Sequence, residues 1–312
     1  MNLIEEIKKL KKQRHAVILA HYYQESEIQD IADFLGDSLA LAVAAQKCTQ
    51  DVILFAGVHF MAETAKILNP TKTVVIPSMN AGCSLADSCP APEFEKFLKN
   101  YPDYEVVSYI NCTAATKALS TVICTSSNAE KVINTITKDK KIVFAPDYNL
   151  GRFLIKKTGR DMVLWKGTCV VHITFSLKEI QKLKLESPQA EIIAHPECEE
   201  TVLSVADFIG STTKLIHYAT ESSHKKFIVV TEPGVIHQMK KINPDNEYIP
   251  APNDSGCACN LCPYMKENTL EKVYLALRDL KPEITLEPDL IESSRKPLQR
   301  MLEISGAGTL PS

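Results

Sequence analysis

The chain carries its own opening segment again further along. Residues 17–38 read VILAHYYQESEIQDIADFLGDS, and residues 192–212 read IIAHPECEETVLSVADFIGST. A fixed shift of 174 residues matches Ile18, Ala20, His21, Glu25, Ala32, Asp33, Phe34 and Gly36 to identical residues. The same shift carries Asn69-Pro70 onto Asn243-Pro244 and Cys83 onto Cys257. A fainter copy, residues 106–127, sits at a shift of 88 and sets Tyr109 under His21, Asn111 under Tyr23 and Ser126 under Ser38. A repeat of this kind means related structural units packed side by side.

Within each unit, short apolar runs alternate with amphipathic helical stretches. The spacing predicts strands over 16–20, 52–56 and 73–77, over 106–109, 141–145 and 161–166, and over 191–194, 226–230 and 247–250. Apolar residues at helical spacing over 28–35 predict a helix broken by Gly36, with another helix starting near Ser38. Near-continuous apolar strands alternating with helices predict an α/β fold with small parallel sheets covered on both faces. The expected architecture is three αβα lobes related by a pseudo-threefold axis around a central site. The lobes should span 1–83, 84–170 and 171–265, with C-terminal helices in 266–304 packed on the first. Residues 281–290 are Pro-rich and should cross the surface, and 305–312 should fray.

Composition narrows the function. A net charge of −3, with no basic stripe and a single Trp, argues against nucleic acid as a partner. No apolar run approaches the roughly 18 residues of a membrane span, and the start, MNLIEEIKKLKKQRH, lacks an apolar signal core. The expectation is a cytoplasmic protein without membrane contact. Ten Cys residues then read as metal ligands or buried apolar residues before disulfides.

Parallel α/β units bind ligands at the carboxyl ends of their strands. First-strand ends supply His21 and Tyr23, Tyr109 and Asn111, and His195 and Glu197. Helix starts supply Ser38, Ser126, and Ser211 with Thr212, while third-strand ends supply Cys83, Cys169 and the cluster Cys257-Ala-Cys259-Asn-Leu-Cys262. Hydroxyl-bearing helix N-termini suit phosphate or carboxylate. Imidazole and carboxylate groups move protons. One Cys per lobe suits a metal or iron–sulfur centre with an open position. Singly, each Cys is equally a packing residue and each Ser an ordinary helix cap. Their coincidence in three units favours a site. The Cys257–Cys262 cluster could also be half a zinc site, though no second ligand pair lies near it, and a disulfide within it stays open.

The chain resembles the quinolinate synthases, iron–sulfur enzymes of de novo NAD biosynthesis. The resemblance rests on AHYYQ at 20–24, ADFLGDSLALA at 32–42, AGVHFMAETAKILNP at 56–70 and AGCSLADSCP at 81–90. It continues through PDYNLG at 146–151, HPEC at 195–198, TEPGVIH at 231–237 and CPYMKENTLEKV at 262–273. It implies condensation of iminoaspartate with dihydroxyacetone phosphate to quinolinate, with loss of phosphate and water. It also implies a 4Fe–4S cluster held by one Cys from each lobe, whose open iron acts as a Lewis acid. Iminoaspartate would come from an L-aspartate oxidase or dehydrogenase, a transient partner.

Carried over by position, Cys83 and Cys169 match cluster ligands. His21, Tyr23, Ser38, Tyr109, Asn111, Ser126, His172, His195, Glu197, Ser211 and Thr212 match active-site positions. Glu197 is expected as the main general acid/base, assisted by Tyr23 and His195, with Tyr109 and His21 beside the reacting carbons. Ser38, Asn111, Ser126, Ser211 and Thr212 would hold carboxylates or phosphate. For the third ligand, the internal repeat points to Cys257 and the resemblance to Cys262, and Cys262 is chosen. A zinc- or iron–sulfur-dependent lyase or dehydratase of the same fold is the alternative.

Overall fold

A computed structural model describes residues 2–307. It contains three four-stranded parallel sheets with one strand order. The first comprises β1 (Ala16–His21), β2 (Phe34–Gly36), β3 (Val52–Ala56) and β4 (Thr73–Val75) in the order β2-β1-β3-β4. The second repeats this order with β5 (Glu105–Tyr109), β6 (Val122–Cys124), β7 (Ile142–Ala145) and β8 (Met162–Leu164). The third does so with β9 (Glu191–Ala194), β10 (Phe208–Ile209), β11 (Lys226–Val230) and β12 (Glu247–Pro250). The three-lobed α/β expectation therefore holds.

Each lobe has one strand more than the sequence predicts. The stretch 28–35 was expected to be wholly helical, but helix Ser26–Ile31 ends at Ala32 and the chain turns into edge strand β2. The cause is Asp33. Its carboxylate accepts the Ile18 backbone N–H at 2.8 Å, and its own N–H donates to the Ile18 carbonyl at 2.9 Å, which clamps the segment against β1. Asp207 makes the same pair of bonds with Ile192 in the third lobe. Thr121, at the shift of 88, makes them with Val106 through its hydroxyl. The fainter middle copy is thus a true structural repeat, and the repeated Asp is a sheet clamp.

Central strands are buried on both faces, and alternate residues go to different cores. Val17 and Leu19 join the inner core shared with Val107, Phe144, Ile193 and Phe227 of the other lobes. Ile18, Ala20 and Leu54 face an outer layer completed by helices Leu3–Gln13 and Leu270–Asp279. The second and third sheets have outer cores of their own. Sharing one inner core draws the strand ends of all three lobes together.

Helix Leu270–Asp279 lies on helix Leu3–Gln13 of the first lobe. Helix Pro288–Ser305 lies instead between helix His59–Leu68 of that lobe and helix Ala114–Ala118 with β6 of the second. It begins with Pro288 at its first position, where a missing N–H costs nothing. The Pro-rich segment before it does more than cross the surface. Ile284 donates its N–H to the Val74 carbonyl at 2.8 Å, and Ile76 donates to Pro282 at 3.2 Å, so the segment extends the first sheet beside β4. Ser305 closes the last helix and Gly306 caps it at φ 80°. The rest of the expected frayed tail, 308–312, lies outside the described residues. Among the described residues, no helix is long and apolar enough to cross a membrane.

Candidate active site

In an open parallel sheet the crevice lies where the connections on either side of a central strand diverge. The shared strand order puts that point at the carboxyl ends of β1, β5 and β9. His21 ends β1, Tyr109 ends β5, and His195 follows β9. These ends open into one buried cavity. Every residue expected at the site lines it except Ser211. Ser211 instead caps helix Thr212–Glu221, accepting the Lys214 N–H at 3.4 Å, and meets Ser127 Oγ at 2.8 Å. Ser38 and Thr212 are the first residues of their helices. Ser126 is not at a helix start: helix Ala129–Thr135 begins after Asn128, and Ser126 precedes it in a turn.

First and third lobes repeat one local device. The Tyr23 N–H donates to His21 Nδ1 at 3.2 Å, and the Glu197 N–H donates to His195 Nδ1 at 3.4 Å. With Nδ1 an acceptor, each neutral ring carries its proton on Nε2, and His195 Nε2 lies 3.3 Å from Ser126 Oγ. Burial lowers the pKa of His21 to about 4 and of His195 to about 3, against weaker opposing pulls from nearby carboxylates. The 3.9 Å approach of His195 Nδ1 to Glu197 Oε1 is therefore no ion pair.

Glu197 is the centre of the site. Its Oε1 accepts from the Tyr109 hydroxyl at 2.5 Å, and its Oε2 lies 2.9 Å from His172 Nδ1. Burial alone would raise its pKa. The facing imidazoles and the hydrogen bonds from His172 and Tyr109 outweigh it and hold the carboxyl at about 2. Burial and the Glu197 charge push both Tyr23 and Tyr109 well above the usual phenol range, so both remain protonated. Tyr23 reaches Thr212 Oγ1 at 3.1 Å and Thr231 Oγ1 at 2.9 Å, and Thr231 reaches His172 Nε2 at 3.0 Å.

Two buried neutral imidazoles make the fold acid-sensitive. Their folded pKa values lie below the ordinary 6.5, so the unfolded chain binds more protons in between. Their contribution is complete above the unfolded pKa and is lost as pH falls from 6.5 toward 4 and 3. Urea midpoints should fall through that window, with unfolding taking up about two protons through this pair. A His195→Gln chain should show a shallower acid slope; an unchanged slope would refute the assignment.

Sequence reasoning missed Asp37 and Thr231. Asp37 caps helix Ser38–Lys47 and also accepts from Ser127 Oγ at 2.6 Å and Thr213 Oγ1 at 2.7 Å, joining all three lobes. The shift of 174 sets it over Ser211, the cap of the equivalent helix, a signal that was available. Thr231 had no signal from the repeat, because its register partner after β3 is Gly57, only its place at a strand's carboxyl end and at the head of TEPGVIH.

Cys83, Cys169 and Cys262 line the same cavity, one from the segment after the last strand of each sheet, β4, β8 and β12. Cys257 does not line it and is bonded to Cys259, which corrects the expectation drawn from the Cys count. Separation by a single residue on an exposed loop lets the two sulfurs meet. Burial pushes Cys83 up to about 12, Cys262 to about 11 and Cys169 well above its ordinary value, with further raising from neighbouring thiols or carboxylates. Three thiolates facing one buried cavity need a positive centre among them, which fits a soft metal group. A second donor set shares Cys169: Cys169, His172 and Glu197 offer ligand atoms all within 4.8 Å of one another. A separate groove of about 360 Å³, walled by Phe153, Leu203 and Ile209, brings together no thiol, imidazole or phenol among the described residues.

The family model described as NadA, quinolinate synthetase A protein, matches residues 5–303. A quinolinate synthase of Synechocystis is 60% identical over 304 residues, covering 97% of this chain and 96% of the relative. The quinolinate synthase of Nostoc punctiforme is 60% identical over 305 residues, covering 98% and 94%. That of Microcystis aeruginosa is 59% identical over 304 residues, covering 97% and 95%.

Proposed function

The chain belongs to the quinolinate synthase family, enzymes of NAD biosynthesis, and on that premise we propose that it condenses iminoaspartate with dihydroxyacetone phosphate. The products are quinolinate, phosphate and water, with no net redox change. We assign Cys83, Cys169 and Cys262 as the ligands of a 4Fe–4S cluster with one iron free of protein ligands. The observation that carries the reading is the convergence of three thiols, one per lobe, on the cavity that holds Glu197.

A bound cluster supplies a Lewis acid that polarises a substrate oxygen or nitrogen. The protein's own groups do the proton work. Glu197, ionised and held between Tyr109 and His172, is the base for carbon-bound protons. Tyr109 and Tyr23, kept as phenols, donate to developing oxyanions. The Nε2–H groups of His21 and His195 donate across the cavity. Free N–H groups at the helix starts of Ser38 and Thr212, with Ser126 and Asn111, hold carboxylates or phosphate. Asn111 Oδ1 is buried without a partner, ready for a ligand N–H or O–H.

An imine hydrolyses readily in water, so this reading sets the protein in the cytoplasm beside an L-aspartate oxidase or dehydrogenase that supplies iminoaspartate. The second reading, a zinc-dependent lyase, draws on the Cys169, His172 and Glu197 set. Protein purified without oxygen and given both substrates should release quinolinate and phosphate in equal amounts, measured by chromatography and phosphate assay. Zinc as the bound metal, with no quinolinate formed, would favour the second reading.

A further inference from the structure

The cavity is lined by Asp37 and Glu197 and by the neutral rings of His21 and His195, but among the described residues by no Lys or Arg. Both proposed substrates are dianions. A positive charge sits one layer back. Lys117, in helix Ala114–Ala118, is fully buried. Its ammonium donates to the Cys112 carbonyl and lies 5.3 Å from the centroid of the Phe60 ring. Phe60 lines the cavity, and so does Asn111, the residue before Cys112. Among the described residues Lys117 has no ion-pair partner: Glu63, in the same wall, accepts the Ala114 N–H at 2.9 Å and faces His59 at 3.8 Å. Lys266, beside the cavity residue Met265, is instead held by Glu232 at 3.3 Å and Glu25 at 3.4 Å.

We propose that Lys117 sets the charge selectivity of the cavity: its buried ammonium backs the wall of Phe60 and Asn111 and favours ligands with two negative charges over ligands with one. The inference rests on the function proposed above. A carbonyl and an aromatic face offset only part of the cost of keeping an ammonium dry. Helix Pro288–Ser305 packs over helix Ala114–Ala118 and shuts this one away from solvent. Packing alone would be served at lower cost by an apolar side chain of the same length. A charge kept there acts on the cavity, because buried charges are screened far less than exposed ones. Lys117 also holds the carbonyl next to Asn111, whose Oδ1 is buried without a partner in the same wall.

The test is ligand binding to protein prepared without oxygen, measured by calorimetry. The ligands are quinolinate, a dianion, and picolinate, the same ring with one carboxylate. Two unit charges about 10 Å apart at an effective dielectric of about 20 change affinity by roughly tenfold. Lys117→Met should therefore bind picolinate about tenfold and quinolinate about 100-fold more weakly than wild type. Lys117→Gln, which keeps a donor for the Cys112 carbonyl, should show the same split, and Lys117→Arg should keep the wild-type ratio. In turnover, KM for dihydroxyacetone phosphate should rise about tenfold or more in Lys117→Met while kcat stays within about threefold, as expected for lost uniform binding. A merely structural role would weaken both ligands by the same factor. That result in Lys117→Met and Lys117→Gln, or no weakening in either, would overturn the proposal. Should the wild type make no quinolinate, inorganic phosphate is the probe. Phosphate bound by wild type and lost in Lys117→Met supports the proposal, and phosphate bound equally by both, or by neither, refutes it.

Discussion

Glu197→Gln is expected to lower kcat for quinolinate formation by about 10³-fold, the middle of the range for losing a general acid/base. The amide has nearly the same shape, so the cavity keeps its volume. It can still accept from Tyr109, which now donates at 2.5 Å, but its NH₂ end must then face His172 Nδ1, 2.9 Å from the present Oε2. Donor meets donor unless the ring changes tautomer, and the base is gone in either case. Stability should move little or rise. The native carboxylate is ionised at almost complete burial, and an ion kept dry for chemistry is held at the expense of the fold. The joint readout is kcat, melting temperature and iron content. Lost activity with melting temperature and iron retained supports Glu197 as the base. More than a tenth of wild-type kcat in Glu197→Gln would move that role to another group, with Tyr23 first in line.

The repeat made most of this architecture legible. An identity such as Asp33 with Asp207 recurs because both carboxylates clamp the same edge strand to the same central strand. The edge strands themselves were hidden. At two or three residues they are too short for a period of two to register, and the Ile28–Leu35 pattern also satisfies a helix. The site was readable where it is repeated: His21 and His195 share a turn that depends only on local backbone. It was unreadable where a residue works with partners from another lobe. The repeat marks Asp37 as a helix cap, but its bonds to Ser127 and Thr213, like that of Thr231 to Tyr23, span separations no periodicity can reach. Ser211 erred the other way, since a helix cap and a ligand hydroxyl look alike in sequence.

The third thiol is where repeat and fold diverge most, and it sets the other large effect. Register puts Cys257 opposite Cys83, yet the loop after β12 brings Cys262 to the cavity. That placement is built from buried charge. The Cys262 N–H donates to Glu232 Oε1 at 3.5 Å, Lys266 lies 3.3 Å from the same oxygen, and Lys266 also donates to the Tyr23 carbonyl at 2.9 Å. Glu232 is fully buried and Glu25 lies 3.4 Å from the same Lys266 Nζ, so Lys266 ties the Cys262 loop to the end of β11 and to the first lobe. Cys257 has no such anchor to the cavity and is bonded to Cys259. Protein prepared without oxygen should hold about four iron and four sulfide per chain. Cys262→Ala should hold almost none and make no quinolinate, whereas Cys257→Ala should keep both cluster and activity. Circular dichroism on the same samples separates cluster loss from unfolding. Iron lost from Cys257→Ala and kept in Cys262→Ala would mean that the repeat register, rather than the Glu232–Lys266 anchor, selects the ligand. A single zinc per chain that survives both substitutions would shift the metal to Cys169, His172 and Glu197, and would take from Glu197 the free carboxylate on which the proton chemistry depends.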